Sequence, residues 1–304
     1  MKKYPIINMD PKGDLPENLG TKKKSFENVN GKRALVKMNV YKEMPDGSFN
    51  VEDERNSHNV SEKFFSEIAL FLGFNCVHID FVIDSNSFNW LSSYDFNKAG
   101  VNTFSGKALY TIHKPEIIKR DSKHGIDNDY HYEDILNILY HYSSNSYKLI
   151  RNFNKMMIMD ALTGESDRHY ENWGIAKENN EYLLLPMYDN SACLLHSARN
   201  EQSLQNIKRK DFENYCRKSI SKIMINNKKT THFDFLRLLL SSFESQERQY
   251  LISDITHLTK LTNEVIHDIV NKVPDIFCTK EHKKNIIKYI IIRRDYILNI
   301  VEEI

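Results

Sequence analysis

The sequence predicts an α+β protein in two parts. A small, sheet-rich N-terminal lobe with one helix spans residues 1–96, and a larger, mainly helical lobe spans 97–304. Three observations predict this. Short stretches of alternating apolar and polar residues crowd positions 1–112, which also hold most of the glycines. From about residue 130, apolar residues recur at the 3.6 period of a helix. One segment, NWGIAKENNEYLLLP (172–186), breaks that helical run with a strand, a polar turn and a second strand.

ALVKMNVY (34–41) alternates as a strand does, with Lys37 on the face of Leu35 and Asn39. NSHNVSEKFFSEIALFLGF (56–74) is a helix: Phe65, Ala69 and Leu72 recur on one face, and Gly73 suits its C-terminal cap. CVHIDFVID (76–84) sets Val77, Ile79, Phe81 and Ile83 on one side of a strand. FNWLSSYDF (88–96) and ALYTIH (108–113) read as weaker strands. Then come helical stretches: YEDILNILYHY, YKLIRNFNKMMIMDALTG, RKDFENYCRKSISKIMI, FDFLRLLLSSF, ERQYLISDITHL, TNEVIHDIVNKV and the C-terminal residues.

Composition narrows the function classes. The 304 residues are 40% apolar, enough for a substantial core, and the net charge is only +1. So weak a field argues against direct nucleic-acid binding and against an anionic membrane surface. The start, MKKYPIINMD, lacks the apolar core of a signal peptide, and KYIIIRRDYILNIV is an amphipathic helix interrupted by charge. A soluble, cytoplasmic protein is expected. The four cysteines are far apart, form no CxxC and read as reduced, packed thiols. No HExxH, GxGxxG or phosphate-binding GxxxxGK[ST] motif occurs.

The chemistry concentrates in SDRHYEN (166–172). The helix before it ends at Gly164, a hairpin follows, and the second strand runs into Asp189. A helix end, an acid, an amide, a hairpin and a second acid form the order used in protein-kinase-type phosphoryl transfer. ATP needs Mg²⁺ across its phosphates, and Mg²⁺ wants hard oxygen ligands. Asp189 and Asn172 can supply them. Asp167, five residues before Asn172, can orient an attacking hydroxyl and take its proton. Arg168 and His169 lie between them and are expected to brace the loop. In the N-terminal half, Lys37 is the candidate for the α- and β-phosphates, with Glu62 as its partner and Glu67 as the alternative. Two plainer readings compete: a lysine guarding a sheet edge, and Glu62 in a capping box with Asn59. ENLGTKKKSFE (17–27) could turn over the phosphates through Gly20 and Lys24.

GESDRHYENWG (164–174), LLPMYDNSACL (184–194), SEKFFSEIALFLGF (61–74), ALVKMN (34–39) and SSYDF (92–96) together resemble the HipA-like serine/threonine kinases, in particular a compact branch of that family. The DRHxxN run followed by a strand and P-x-[FY]-D is the specific part, and the match covers roughly residues 17–195. The resemblance implies a two-lobed, protein-kinase-like fold with ATP and Mg²⁺ bound between the lobes. It implies Asp167 as catalytic aspartate, Asn172 and Asp189 as metal ligands and Lys37 as the ATP lysine. Ser93, Tyr94 and Asp95 become the segment that meets adenine. It implies a protein substrate with a serine or threonine acceptor, self-phosphorylation, a toxin or effector role, and an antitoxin or regulatory partner. The extra N-terminal domain of the longer family pattern is not expected here. Asn190-Ser191 stand where common protein kinases have Phe-Gly, so the usual Phe-in/Phe-out switch is not expected.

Overall fold

The computed structural model describes residues 2–12, 24–38, 58–97, 100–116, 129–143, 147–198, 201–209 and 211–303. In chain order its elements begin with strands β1 (Ile6–Asn8), β2 (Lys24–Val29) and β3 (Lys32–Met38), helix α1 (His58–Phe71), and strands β4 (Ile79–Ile83), β5 (Asn89–Tyr94) and β6 (Asn102–Ser105). Helices α2 (Gly106–His113), α3 (Tyr132–Tyr142) and α4 (Lys148–Thr163) follow, then the hairpin β7 (Gly174–Glu178) and β8 (Glu181–Leu184). The rest is helical: α5 (Glu201–Arg209), α6 (Phe212–Arg217), α7 (His232–Ser242), α8 (Ser245–Thr256), α9 (Asn263–Asn271) and α10 (Lys280–Glu302).

The chain divides into two compact units. The first comprises Met1–Asp95, Ser191–Tyr215 and Leu261–Ile291; the second comprises Phe96–Asn190, Cys216–Lys260 and Ile292–Ile304. One division thus falls after Asp95, but two later segments that the sequence assigns to a single C-terminal lobe group with the N-terminal sheet.

In the first unit a five-stranded sheet runs β1-β4-β5-β3-β2, antiparallel except for the β1–β4 pair. Because successive side chains alternate in direction, Ala34 and Val36 of β3 enter one core with Val29, Val82 and Trp90. Lys37 points to the opposite face, in register with Leu91, which in turn pairs with Phe81. Helix α1 packs against β4 and buries Phe64, Phe65, Ile68 and Ala69. It stops where Gly73 adopts φ +70°, with Gly73 N–H donating to Leu70 O and Phe74 N–H to Ala69 O. That pair of bonds is a Schellman cap, and the left-handed position explains the glycine.

In the second unit β6, β7 and β8 form an antiparallel sheet. The β7–β8 turn is Asn179-Asn180, with φ of +50° and +64°. Two successive left-handed residues make the turn whose twist suits a two-residue hairpin, and asparagine tolerates them. Helix α4 packs on α3, α7, α8 and β8, and buries Ile150, Phe153, Met157, Ile158 and Ala161.

Two expectations are corrected. ALYTIH is not a strand but most of helix α2, nucleated by Ser105, whose Oγ accepts the Ala108 N–H. Six residues of mixed apolar character fit either period, and the N-cap decides between them. RKDFENYCRKSISKIMI is not one helix: Arg209 closes α5, and Phe212–Arg217 form the short α6. Beyond it the backbone forms isolated bridges, Ile220 with Thr231 and Ile225 with Lys228, around Asn226 and Asn227 at φ +51° and +59°. Strands β1, β2 and β6 have no counterpart in the sequence reading. No disulfide joins the four cysteines, all of which are buried. Among the described residues no helix is long and apolar enough to cross a membrane.

Candidate active site

The first cluster lies in the first unit. Lys37 Nζ donates to both carboxylate oxygens of Glu62, each at 3.0 Å, with Lys37 9% and Glu62 1% exposed. Alternation on β3 sends the lysine to the α1 face, and helical spacing turns Glu62 toward it. The capping box is not formed: Asn59 lies inside α1, and neither of its side-chain polar atoms has a partner. Glu67 is engaged elsewhere, accepting from Lys63 at 2.5 Å. Lys24 opens β2 directly across from Lys37, on the same face of the sheet. Gly20 lies outside the described residues.

Ser93 and Tyr94 end the central strand β5, and Asp95 follows it. The Tyr94 N–H donates to His78 O and the Asp95 N–H to Arg33 O, so these amides are committed within the sheet. Tyr94 OH donates to Asp80 Oδ2 at 2.9 Å, and Asp95 pairs with Arg33.

The second cluster lies in the second unit and is built around Arg168. Helix α4 ends at Gly164, φ +71°, and the chain turns into the loop. Arg168 is 1% exposed. Its guanidinium grips Asp160 with Nε to Oδ2 at 3.0 Å and Nη2 to Oδ1 at 2.8 Å, a planar fork on a carboxylate. Nη1 donates to Asn172 O at 3.0 Å and to Tyr188 O at 3.4 Å, and Nη2 to Asn190 Oδ1 at 2.5 Å. One side chain thus ties the helix end, the loop end and both neighbours of Asp189 together. Burial alone would weaken the guanidinium's hold on its proton, but the Asp160 charge beside it raises its pKa. The Asp160 carboxyl is itself raised by burial, against the pull of Arg168.

Within the loop, Asp167 N–H donates to Glu165 Oε1 at 2.8 Å and Asn172 Nδ2 donates to Asp167 O at 2.9 Å. That bond orients the Asn172 amide, whose carbonyl oxygen is the kind of atom that a hard cation binds. The Asp167 side chain is 52% exposed. His169 Nε2 lies 3.9 Å from Asp167 Oδ2, while its Nδ1 accepts the Glu171 N–H at 3.1 Å. Asp189 sits at φ +54°, in the left-handed region that aspartate enters at a cost and that recurs at functional sites. After the loop, buried Trp173 donates to Tyr130 OH at 2.7 Å. Gly174 follows because a Cβ there would lie 2.4 Å from Phe104 O.

Residues that the sequence reading did not single out complete this cluster. Glu165 is fully enclosed, and burial pushes its carboxyl up to about 8 even with Arg168 pulling it down. His232 Nε2 lies 2.9 Å from Glu165 O, and burial with the nearby Arg293 charge pulls its imidazole down to about 3. Asp160 did leave a signal: an acid within MMIMDALTG, near a helix C-terminus, stands where the helix dipole disfavours it. Such a placement calls for a buried cation. Asn190 is marked in the sequence only as standing where common protein kinases have Phe, not as a partner of Arg168, and Lys222 carries no comparable mark.

Oxygen donors at Asn172 and Asp189, flanked by one guanidinium, fit the coordination chemistry of Mg²⁺ with phosphate oxygens filling the shell. Among the described residues no group of three or more His, Cys, Asp or Glu side chains is placed to hold a metal ion.

The profile of the HipA-like C-terminal domain matches residues 9–275. The chain belongs to this family. Serine/threonine-protein kinase CtkA of Helicobacter pylori is 29% identical to this HipA-like chain over 135 residues, which is 42% of this chain and 39% of that relative. The chain therefore aligns with less than half the length of this curated relative. The crystal structure of the H. pylori proinflammatory kinase CtkA matches with a TM-score of 0.71 at 21% identity, covering 98% of this chain and 97% of that one. HipA of Shewanella oneidensis MR-1, solved in a toxin–antitoxin complex with HipB and operator DNA, matches with a TM-score of 0.54 at 15% identity, covering 97% and 66%. At these identities the structures establish the fold: α+β and kinase-like, as the motifs led one to expect.

Proposed function

We propose that this HipA-like chain is an ATP- and Mg²⁺-dependent kinase that phosphorylates serine or threonine on protein, its own chain included. The observation that carries the reading is the Arg168 clamp, which holds Asp167, Asn172 and the neighbours of Asp189 in one braced segment. Preorganised charge and positioning are what phosphoryl transfer asks of a protein. Lys37, squared up by Glu62, holds the α- and β-phosphates, with Lys24 on the same face. Asn172 through Oδ1 and Asp189 through its carboxylate hold Mg²⁺. Held by those two residues, Mg²⁺ would supply positive charge to offset that of the phosphate oxygens. Asp167 accepts the hydrogen bond of the acceptor hydroxyl and takes its proton, while Arg168 stays charged and braces the loop. The serine/threonine-protein kinase name of CtkA supports a protein acceptor. The complex of HipA with HipB supports a regulatory partner of antitoxin type.

The test is transfer from γ-labelled ATP with Mg²⁺ to a generic basic protein and to the chain itself, beside Asp167→Ala. Label on protein that falls at least about 100-fold in the variant, with Mg·ATP affinity by calorimetry unchanged, is expected. Binding without protein label would redirect the reading to a small-molecule acceptor or to a nucleotide-binding module without turnover.

A further inference from the structure

The loop puts an anionic carboxylate where an anionic phosphoryl group must arrive. At about 4 Å two like charges near a protein surface repel one another strongly. Something permanent and positive should stand beside Asp167, and the loop itself does not provide it. Arg168 is buried and committed to Asp160 and Asn190. The Nδ1 of His169 is taken up by the Glu171 N–H, and its Nε2 stands 3.9 Å from Asp167 Oδ2.

Lys222 answers the need from a distant stretch of sequence. Its Nζ lies 3.8 Å from Asp167 Oδ1, and its side chain is 29% exposed. The backbone beneath it is pinned on both sides. Ser221 N–H donates to Thr230 O at 3.0 Å and Met224 N–H to Tyr130 O at 2.8 Å. Ile223 N–H donates to Ser221 Oγ, and the Ile223 side chain is fully buried. A lysine on such a base is aimed, unlike one on a surface helix.

We infer that Lys222 is a catalytic residue of the phosphoryl transfer, contacting the phosphoryl group in flight; this rests on the kinase reading above. In the step, the acceptor hydroxyl oxygen forms a bond to the γ-phosphorus, and its proton passes to the Asp167 carboxylate. The bond from that phosphorus to the β,γ-bridging oxygen breaks, and its electron pair leaves on ADP. Lys222 neither gives nor takes a proton. Its ammonium offsets the charge on the transferring oxygens and the repulsion from Asp167.

The experiment compares wild type, Lys222→Met, Lys222→Arg and Asp167→Ala in the labelled-ATP assay, with thermal melting and Mg·ATP calorimetry on each. A half-exposed ion pair contributes little to stability, so the melting temperature should hold in Lys222→Met. The kcat should fall about 100-fold, the loss seen when one charge-stabilising donor is removed, while KM for ATP stays within about threefold. Lys222→Arg should recover at least about a tenth of the wild-type rate, since the charge is kept. If Lys222→Met turns over like wild type while Asp167→Ala is dead, Lys222 has no such role and the kinase reading stands. If wild type transfers nothing to any acceptor, the reading and the role of Lys222 fall together. Should Lys222→Met not fold, failure of folded Lys222→Gln to lose rate would equally overturn the inference.

Discussion

Lys37 and Arg168 are both nearly buried cations, at 9% and 1% exposure, yet they are held in different ways. Lys37 donates to both carboxylate oxygens of Glu62, which meets it squarely from the neighbouring helix. Arg168 spreads its donors over a carboxylate, two backbone carbonyls and an amide side chain that come from three stretches of chain. The first is a pair and the second a junction. A pair presents one ammonium for use and can in principle be exchanged for two apolar groups of similar shape. A junction cannot, because each partner it drops becomes a buried polar group without a bond.

The largest effect should follow from breaking the junction. Arg168→Met leaves Asp160 enclosed without its cation and abandons the carbonyls of Asn172 and Tyr188. It should cost at least about 3–5 kcal/mol in urea denaturation, the range for breaking a buried ion pair. Adding Asp160→Leu should restore little, because the other acceptors stay unpaired. A double variant as stable as wild type would show that Arg168 is a pair after all.

A smaller loss should follow at the other cluster, and it should be reversible. Lys37→Met strands Glu62 and should cost about 3 kcal/mol. Lys37→Met with Glu62→Leu should return to within about 1 kcal/mol of wild type, since both charges leave together. The double variant should still fail to bind Mg·ATP by calorimetry. Recovery of stability without recovery of binding would separate what the pair does for the nucleotide from what it does for the fold. A double variant as unstable as the single one would erase the contrast between pair and junction.

The same contrast explains what the sequence made legible. Lys37 and Glu62 could be read because each follows a period: alternation on a strand, and one face of a helix. Asp167, Asn172 and Asp189 stood out as candidates because their spacing is local and their chemistry is specific. Asp160 and Asn190, which fix the loop, act through a buried guanidinium that joins distant turns, and no period encodes that. The segment after Arg217 was misread for a related reason. Its apolar residues are buried by tertiary contacts such as Met224 with Tyr130 and Tyr132 backbone, and spacing that suits a helix also suits an irregular buried strand. Lys222 sits in that misread segment, so its place beside Asp167 emerges only from the fold. ALYTIH shows the converse, where one hydroxyl at Ser105 outweighs six ambiguous residues.

The finest probe of the junction is its pH dependence. Glu165 loses its proton near 4.5 in an unfolded chain and near 8 in this enclosure. Between those values the unfolded chain binds fewer protons than the folded one, so the contribution of Glu165 is complete below 4.5 and declines as pH rises toward 8. His232 works in the opposite direction, from its ordinary 6.5 down to about 3, and its contribution is lost as pH falls through that range. The interval from 6.5 to 8 therefore isolates Glu165 from His232. Over it the wild-type chain should lose about 2 kcal/mol of unfolding free energy relative to Glu165→Gln, at about 1.4 kcal/mol for each pH step. Parallel denaturation curves for the two proteins across that interval would mean that Glu165 is ionised in the folded state, and that the Arg168 junction carries a second carboxylate instead of a neutral neighbour.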